Sequence, residues 1–86
     1  MKYKIEIRPE AVKDLEQLDS TVARRILKKL NWLKENFDLI VPEPLSGEFK
    51  GLYKLRVGNY RVVYIYDKQA KLISVHLVGH RKNIYK

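Results

Sequence analysis

Two strand-like segments joined by the dipeptide at 58–59 constrain the fold more than any other part of the chain. Residues 52–57 and 60–67 are rich in Val, Ile and Tyr, a composition typical of β-strands. A Gly-Asn pair between two such segments is typical of a two-residue hairpin turn, which places Val57 opposite Tyr60. This register decides which face of the hairpin each side chain occupies.

The register separates the hairpin side chains into an apolar face and a cationic face. The apolar face suits a core and holds Tyr53, Leu55, Val57, Tyr60, Val62 and Tyr64. The cationic face holds Lys54, Arg56 and Arg61 beside Leu52 and Val63, with no acidic residue among them. Arg56 would lie directly opposite Arg61, and like charges so placed destabilise a sheet. A binding site for an anion explains this arrangement; the alternative is that the cations simply splay into solvent.

The remaining periodicities predict an α+β fold with the order β-α-α-β-β-β. Residues 2–8 alternate apolar and charged side chains as a half-buried strand does, and residues 71–78 form the last predicted strand. Helices are predicted at 9–18 and 21–37. Residues 39–44, with two prolines, are predicted to be a connector. We expect a single domain over residues 1–86, with the two N-terminal helices packed on one face of a small, mainly antiparallel sheet.

The second predicted helix is amphipathic, and it places a tryptophan away from its apolar side. Its apolar stripe consists of Val22, Ile26, Leu30, Leu33 and Phe37. Trp32 falls outside that stripe, so it is either a partly exposed ring on the polar side or a contact point for a partner.

The composition excludes several classes of site. The chain has no cysteine, so disulfides and thiolate-ligated metals are impossible. His76 and His80 would lie about 13 Å apart on a strand, too far to share a metal ion. The glycines fit no nucleotide-binding motif, so we expect neither a metal nor a cofactor. No apolar run approaches the roughly 20 residues of a membrane span, and the N-terminus lacks a secretory pattern, so we expect no membrane partner and a cytoplasmic location.

Positive charge is concentrated in the second half of the chain. The net charge is +8, and residues 46–86 contain nine basic residues against only two acidic ones. Such a field attracts polyanions, nucleic acid first, although a charge that merely aids solubility is the alternative. The basic C-terminal segment also contains Tyr85, and cations beside a ring suit a phosphate and its stacked base.

The chain resembles the RelE/ParE toxin superfamily of type II toxin-antitoxin systems, and most closely its RelE-like messenger-RNA interferases. The resemblance covers nearly the whole chain. It rests on the predicted element order, on the segment PEPLSG at 42–47, on the hairpin LRVGNYRVVY at 55–64, and on VGHR at 78–81 ahead of Tyr85. The hairpin motif is shared with the gyrase-poisoning ParE branch.

The resemblance implies a set of site residues. The RelE-like pattern gives four active-site positions, which are Lys54, Arg61, Arg81 and Tyr85. We expect further RNA-binding cations at Arg56, Lys50 and Lys82. Glu48 matches a catalytic carboxylate of the YoeB-like subgroup, and His80 lies near that subgroup's terminal histidine. Leu52 occupies a position where a RelE-like enzyme commonly has a second lysine. The absence of that lysine favours Glu48 or His80 as the residue that transfers protons.

The implied activity is cleavage of messenger RNA in the ribosomal A site without a metal ion, which inhibits translation. This chemistry removes the 2′-hydroxyl proton, stabilises a dianionic phosphorane and protonates the 5′-oxygen. Either Lys54, with Arg56 and Arg61 favouring its neutral form, or Glu48 suits the role of base. The arginines suit the phosphate.

The resemblance also implies a protein antitoxin, besides messenger RNA and the ribosome. We expect its binding segment to be acidic or amphipathic and to cover either the cationic face or the exposed side of the helices near Trp32. The rival function is a ParE-like, non-catalytic toxin that inhibits DNA gyrase, and a non-catalytic RNA-binding module is a third. Arg81 and Tyr85 favour the ribonuclease.

Overall fold

The computed structural model describes residues 2–82, and it contains a five-stranded sheet in the order β1-β5-β4-β3-β2. The strands are β1 (Lys4–Ile7), β2 (Glu43–Pro44), β3 (Tyr53–Val57), β4 (Tyr60–Asp67) and β5 (Leu72–His80), and the helices are α1 (Pro9–Glu16) and α2 (Ser20–Asn36). β1 pairs with β5 in parallel, and the other described pairs are antiparallel. The α+β class and the mainly antiparallel sheet are as predicted.

The hairpin has the predicted register. Val57 pairs with Tyr60, and Arg56 pairs with Arg61. Gly58 has a φ of +59°, which glycine adopts without steric cost. A Cβ atom at Gly58 would lie 3.1 Å from a guanidinium nitrogen of Arg25, so a larger residue would be both strained and crowded.

The helices cover the apolar face of the sheet, as expected. The buried core contains Tyr3, Ala11, Ile26, Leu30, Leu33, Phe37, Val62, Tyr64, Ile73, Val75 and Val78. Each large apolar side chain buried here contributes about 1.5–3 kcal/mol relative to its exposed state. This burial is the main force that holds α2 on the apolar face and leaves the opposite face of the hairpin free of helices.

A bulge in β5 changes which residues face the helices. Val63 pairs with Leu77 and Tyr64 with Val75, so His76 is the extra residue without a partner in β4. The Nε2 atom of His76 is buried and has no hydrogen-bond partner within residues 2–82. Because of the bulge, β5 presents both Val75 and Val78 to the core although they are three positions apart.

A side chain of α1 is hydrogen-bonded to β5 beyond the segment that pairs with β1. β1 ends its pairing at Ile7, opposite Val75. Further along β5, the backbone amide of Val78 donates a hydrogen bond of 3.0 Å to the carboxylate of Asp14. The carboxylate therefore satisfies an amide of β5 that lies beyond the end of its pairing with β1.

The prediction of a connector at 39–44 was partly wrong. Glu43 and Pro44 form the short strand β2, which pairs with Lys54 and Tyr53 of β3. A proline has no amide to donate, and the structure accommodates Pro44 because β2 is an edge strand. A two-residue strand has no periodicity, so the sequence pattern could not reveal it. No helix in the described part of the chain has the length and apolar character needed to cross a membrane.

The pairing of Arg56 with Arg61 yields a prediction about stability. We expect the repulsion between these side chains to lower the free energy of unfolding by about 0.2–1 kcal/mol. Urea denaturation of the wild type, Arg56→Gln, Arg61→Gln and the double variant isolates this term, whatever else either side chain contacts. The coupling should approach zero in 1 M NaCl, where the screening length falls to about 3 Å.

A second cycle that combines Arg56→Gln with Lys13→Gln, on α1, is the control and should be additive. A favourable or absent coupling between Arg56 and Arg61 at low salt would contradict the like-charge interpretation.

Candidate functional site

A cleft of about 450 Å³ opens on the cationic face of the hairpin. Its lining is Leu45, Ser46, Gly47, Glu48, Phe49, Lys54 and Arg61. Three of the predicted site residues, Glu48, Lys54 and Arg61, are therefore brought together, although they come from a loop and two different strands. The cleft lies on the side of the hairpin opposite the helices, because its strand residues alternate with the core residues.

One wall of the cleft is the loop between β2 and β3. The backbone amide of Leu45 donates a hydrogen bond of 2.9 Å to the carbonyl of Leu52 and closes the loop at its base. Inside it, a short 3-10 turn spans Gly47–Phe49, and Gly47 has a φ of +66°, which favours glycine. The amide of Lys50 donates to the carbonyl of Gly47 at 3.1 Å. These bonds set the backbone position of Glu48 on the wall.

The cleft residue Lys54 pairs with a buried apolar residue of the sheet, Val63. Val63 is fully buried but is not part of the core beneath the helices. It pairs with Lys54 on one side and with Leu77 on the other. Only 18% of the Lys54 side chain is exposed, and its ammonium lies 3.9 Å from the Glu43 carboxylate. The packed stem of Lys54 thereby limits where its charged end can go.

Glu43 corrects the prediction of a cationic face without an acid. Register alone placed only Lys54, Arg56 and Arg61 there, because 39–44 was interpreted as a connector. The pairing of β2 with β3 sets Glu43 opposite Lys54. Glu43 is thus a site-adjacent residue that the sequence analysis missed. The one available signal was its position between Pro42 and Pro44, a pattern compatible with a short edge strand.

The other predicted cations lie around the cleft and outside its lining. Arg56 is exposed opposite Arg61. Lys50 is exposed where the loop leaves its 3-10 turn. Arg81 is exposed just after β5, and its backbone amide donates a hydrogen bond of 2.9 Å to the carbonyl of Asn59 in the hairpin turn. That bond holds the start of the C-terminal segment beside the hairpin.

The predicted residue His80 lies on the other side of the sheet from the cleft. His80 pairs with Tyr60, and the two rings meet edge to face with centroids 5.4 Å apart, on the side of the sheet that carries the helices. Its Nδ1 accepts a hydrogen bond of 3.2 Å from the amide of Lys82, which is itself exposed. Tyr85 lies outside the described residues. Within residues 2–82 no group of three or more His, Asp or Glu side chains is placed to hold a metal ion.

A cluster of tyrosines anchors the strand that carries Lys54. The ring centroids of Tyr53 and Tyr66 are 4.9 Å apart, and those of Tyr53 and Tyr64 are 6.0 Å apart. The hydrogen bond between Tyr53 and Tyr66 raises the pKa of Tyr53, and burial raises the pKa of Tyr64. These phenols therefore stay neutral at physiological pH and act as packing groups next to the cleft.

Comparison with known proteins identifies the family. The family model described as the ParE toxin of the type II toxin-antitoxin system parDE matches residues 5–85. An Escherichia coli protein described as RelE-like is 29% identical over 95% of this chain and 86% of its own length.

Two solved structures show the same fold. The toxin-antitoxin complex RelBE2 of Mycobacterium tuberculosis has a chain that superposes with a TM-score of 0.83 at 26% identity, covering 94% of this chain and 100% of its own. A double arginine-to-alanine mutant of Escherichia coli RelE in the free state superposes with a TM-score of 0.75 at 31% identity, covering 95% and 86%. The chain therefore belongs to the ParE toxin family and is a type II toxin of the RelE/ParE superfamily.

Proposed function

We propose that the chain is a metal-independent endoribonuclease that cleaves messenger RNA in the ribosomal A site and so inhibits translation in the cytoplasm. The observation that carries the proposal is the cleft in which Glu48, Lys54 and Arg61 meet. One proton acceptor and two cations are the groups that attack by a 2′-hydroxyl on its neighbouring phosphate requires. The lining of the cleft contains a single carboxylate, Glu48, which is a poor ligand set for a divalent metal.

In the proposed reaction Glu48 is the general base. Its carboxylate takes the proton of the 2′-hydroxyl, the 2′-oxygen forms a bond to phosphorus, and the bond from phosphorus to the 5′-oxygen breaks. Arg61 donates hydrogen bonds to the dianionic phosphorane. Lys54 stabilises the same charge and gives a proton to the departing 5′-oxygen. The products are a 2′,3′-cyclic phosphate and a 5′-hydroxyl.

The ion pair with Glu43 is the reason for choosing Glu48 over Lys54 as the base. The Lys54 ammonium lies 3.9 Å from the Glu43 carboxylate, and an ammonium has no lone pair to accept a proton. Such a group suits the roles of electrostatic stabiliser and acid. Glu48 is exposed on the wall of the cleft, where its carboxylate can reach a substrate hydroxyl.

The surrounding residues supply binding in this proposal. Arg56, Lys50 and Lys82 contact the RNA backbone, and Arg81 gives a second contact to phosphate. Tyr85 keeps the base-stacking role that the resemblance implies. His80 is left out, because its ring packs on Tyr60 on the other side of the sheet.

Inhibition of DNA gyrase remains the second candidate function, because the matching family model is that of the ParE toxin. A gyrase inhibitor acts through protein contacts and has no need of a base beside two cations. The cleft favours the ribonuclease.

The mechanism predicts that cleavage depends on the 2′-hydroxyl of the scissile nucleotide. With ribosome-bound message, a 2′-methoxy group at that nucleotide should stop cleavage without stopping binding, and the unmodified message should leave an upstream fragment ending in a 2′,3′-cyclic phosphate. Glu48→Gln should slow cleavage about 10²–10⁴-fold, as expected for loss of a general base.

Ser46→Ala provides the matched control, since Ser46 lines the same cleft but has no proposed role, and it should cleave at the wild-type rate. Cutting of the methoxy message would refute the mechanism. Full activity of Glu48→Gln together with loss in Lys54→Ala would transfer the base role to Lys54.

We also propose that a protein antitoxin binds the apolar groove between α2 and the edge strand β1. The groove is lined by Ile5, Ile7, Leu27, Leu30, Asn31 and Lys34. Leu27 is 46% exposed, and β1 has no strand beyond it in the described sheet. An amphipathic segment fits such a groove with its apolar side, and Lys34 favours an acidic residue at its rim. The relative from Mycobacterium tuberculosis was itself solved as a toxin-antitoxin complex.

This placement predicts that Leu27→Glu weakens binding of the co-expressed cognate antitoxin about 10-fold or more, because it puts a charge into an apolar contact. Calorimetry on the purified pair measures the change. Arg24→Glu, an exposed position on the same helix that does not line the groove, is the control and should bind more nearly as the wild type does. Unchanged affinity in Leu27→Glu would place the antitoxin elsewhere.

A further inference from the structure

A second cationic surface lies on α2, on the side of the sheet opposite the cleft. The helix contains five basic residues, Arg24, Arg25, Lys28, Lys29 and Lys34, and a single acidic one, Glu35. The nearly balanced charge of the first half of the chain hides this excess, because acidic residues of β1, α1 and the loops offset it.

Part of this surface is a groove of about 410 Å³, which we call the α2 groove, lined by Arg25, Lys28, Lys29, Trp32 and Val57. The four helix residues follow one another at helical spacing, so they lie along one side of α2. Val57 contributes the end of β3. The Arg25 guanidinium packs close to Gly58, so the groove extends to the hairpin turn.

Trp32 gives the α2 groove an aromatic surface that is open to solvent. The side chain is 42% exposed, and the Lys29 ammonium lies 4.2 Å from the centre of its ring. A ring and cations together are what single-stranded nucleic acid requires, since bases stack on the ring and phosphates pair with the cations. A base that takes the place of Lys29 over the ring leaves that ammonium free to pair with the adjoining phosphate.

We propose that the α2 groove is a second RNA-binding site, in which a base stacks on Trp32 and the backbone pairs with Arg25, Lys28 and Lys29. The identity of the ligand as RNA rests on the proposed function, whereas the groove itself does not. Val57 faces the groove while its neighbour Arg56 lies on the cationic face, so the two sites occupy opposite sides of one hairpin. RNA leaving the cleft past the hairpin turn meets Arg25 first.

The groove lining favours RNA over an acidic protein segment. A protein interface has an apolar centre with charge at the rim, but here three of the five lining residues are cations. The apolar groove beside β1, on another part of the α2 surface, has the lining that a protein segment needs. The helix α2 thus lines two grooves of different chemistry, one cationic and aromatic and the other mainly apolar.

Intrinsic fluorescence tests this inference directly, because Trp32 is the single tryptophan of the chain. The titrant is a single-stranded RNA of about 12 nucleotides, within the size range of such sites, and the protein is the full chain with Glu48→Gln so that the RNA stays intact. We expect saturable quenching of Trp32. Three phosphate contacts give a slope of about −2 for the logarithm of the association constant against the logarithm of salt concentration.

Charge-matched variants distinguish RNA binding by the groove residues from non-specific attraction by the net charge of the protein. Arg25→Gln, Lys28→Gln and Lys29→Gln combined should abolish the quenching or weaken it about 10-fold or more at low salt. The control combines Lys4→Gln, Lys13→Gln and Lys68→Gln, which removes the same charge from exposed positions outside the groove and should retain the quenching. With fluorescein-labelled RNA, Trp32→Leu should bind about 5- to 150-fold more weakly, the effect of one lost stack.

Each remaining outcome overturns one of the two proposals. Quenching by an acidic peptide such as oligoglutamate, but not by RNA, would assign the groove to a protein. Equal RNA binding by both triple variants would make the contact non-specific. If RNA quenches Trp32 but the wild type cleaves no ribosome-bound message, the α2 groove binds RNA and the proposed cleavage is refuted. Cleavage without any quenching or Trp32 dependence would refute the groove alone.

Discussion

The register between β3 and β4 determines both the composition of the core and the charge of the opposite face. A slip of β3 by one residue against β4 would turn Lys54 and Arg56 toward the helices and move Tyr53, Leu55 and Val57 out of the apolar face. Burying unpaired cations costs far more than the fraction of a kcal/mol that two facing arginines cost in solvent. The register that keeps the apolar side chains in the core therefore places Arg56 opposite Arg61. The repulsion between them is modest, and together they form a cationic face that attracts anions.

The cleft is assembled at the part of the sheet where regular pairing ends. β2 has only two residues and contributes Glu43, and the loop after it is closed by one hydrogen bond between Leu45 and Leu52. Loops on a rigid sheet commonly carry function, because they can place polar side chains without disturbing a core. Here the sheet supplies the cations Lys54 and Arg61, and the loop supplies the carboxylate Glu48. In the proposed mechanism the acid therefore comes from the sheet and the base from the loop.

The structural features that depend on periodicity and turn chemistry could be predicted from the sequence. The register, the apolar stripe of α2 and the fold class depend on repeating patterns of several residues, and all three are confirmed. The strand β2 and the contact of Glu43 with Lys54 depend on a long-range pairing of two residues, which leaves no such pattern. His80 shows a related limit, since its place beside Tyr60 is set by the phase of β5 after the bulge at His76. Residue spacing on an ideal strand does not reveal a bulge.

Mapping of message cleavage on stalled ribosomes distinguishes cleavage of messenger RNA in the cleft from inhibition of gyrase. Purified ribosomes stalled on a defined message are incubated with the wild type or with Arg61→Ala, and fragment ends are mapped to the nucleotide while gyrase-linked DNA breaks are scored in parallel. If the cleft cleaves messenger RNA, the wild type cuts within the A-site codon, the folded Arg61→Ala variant makes no cuts, and no DNA breaks occur. An intact message together with gyrase-linked DNA breaks would contradict this prediction and establish the toxin as a gyrase inhibitor.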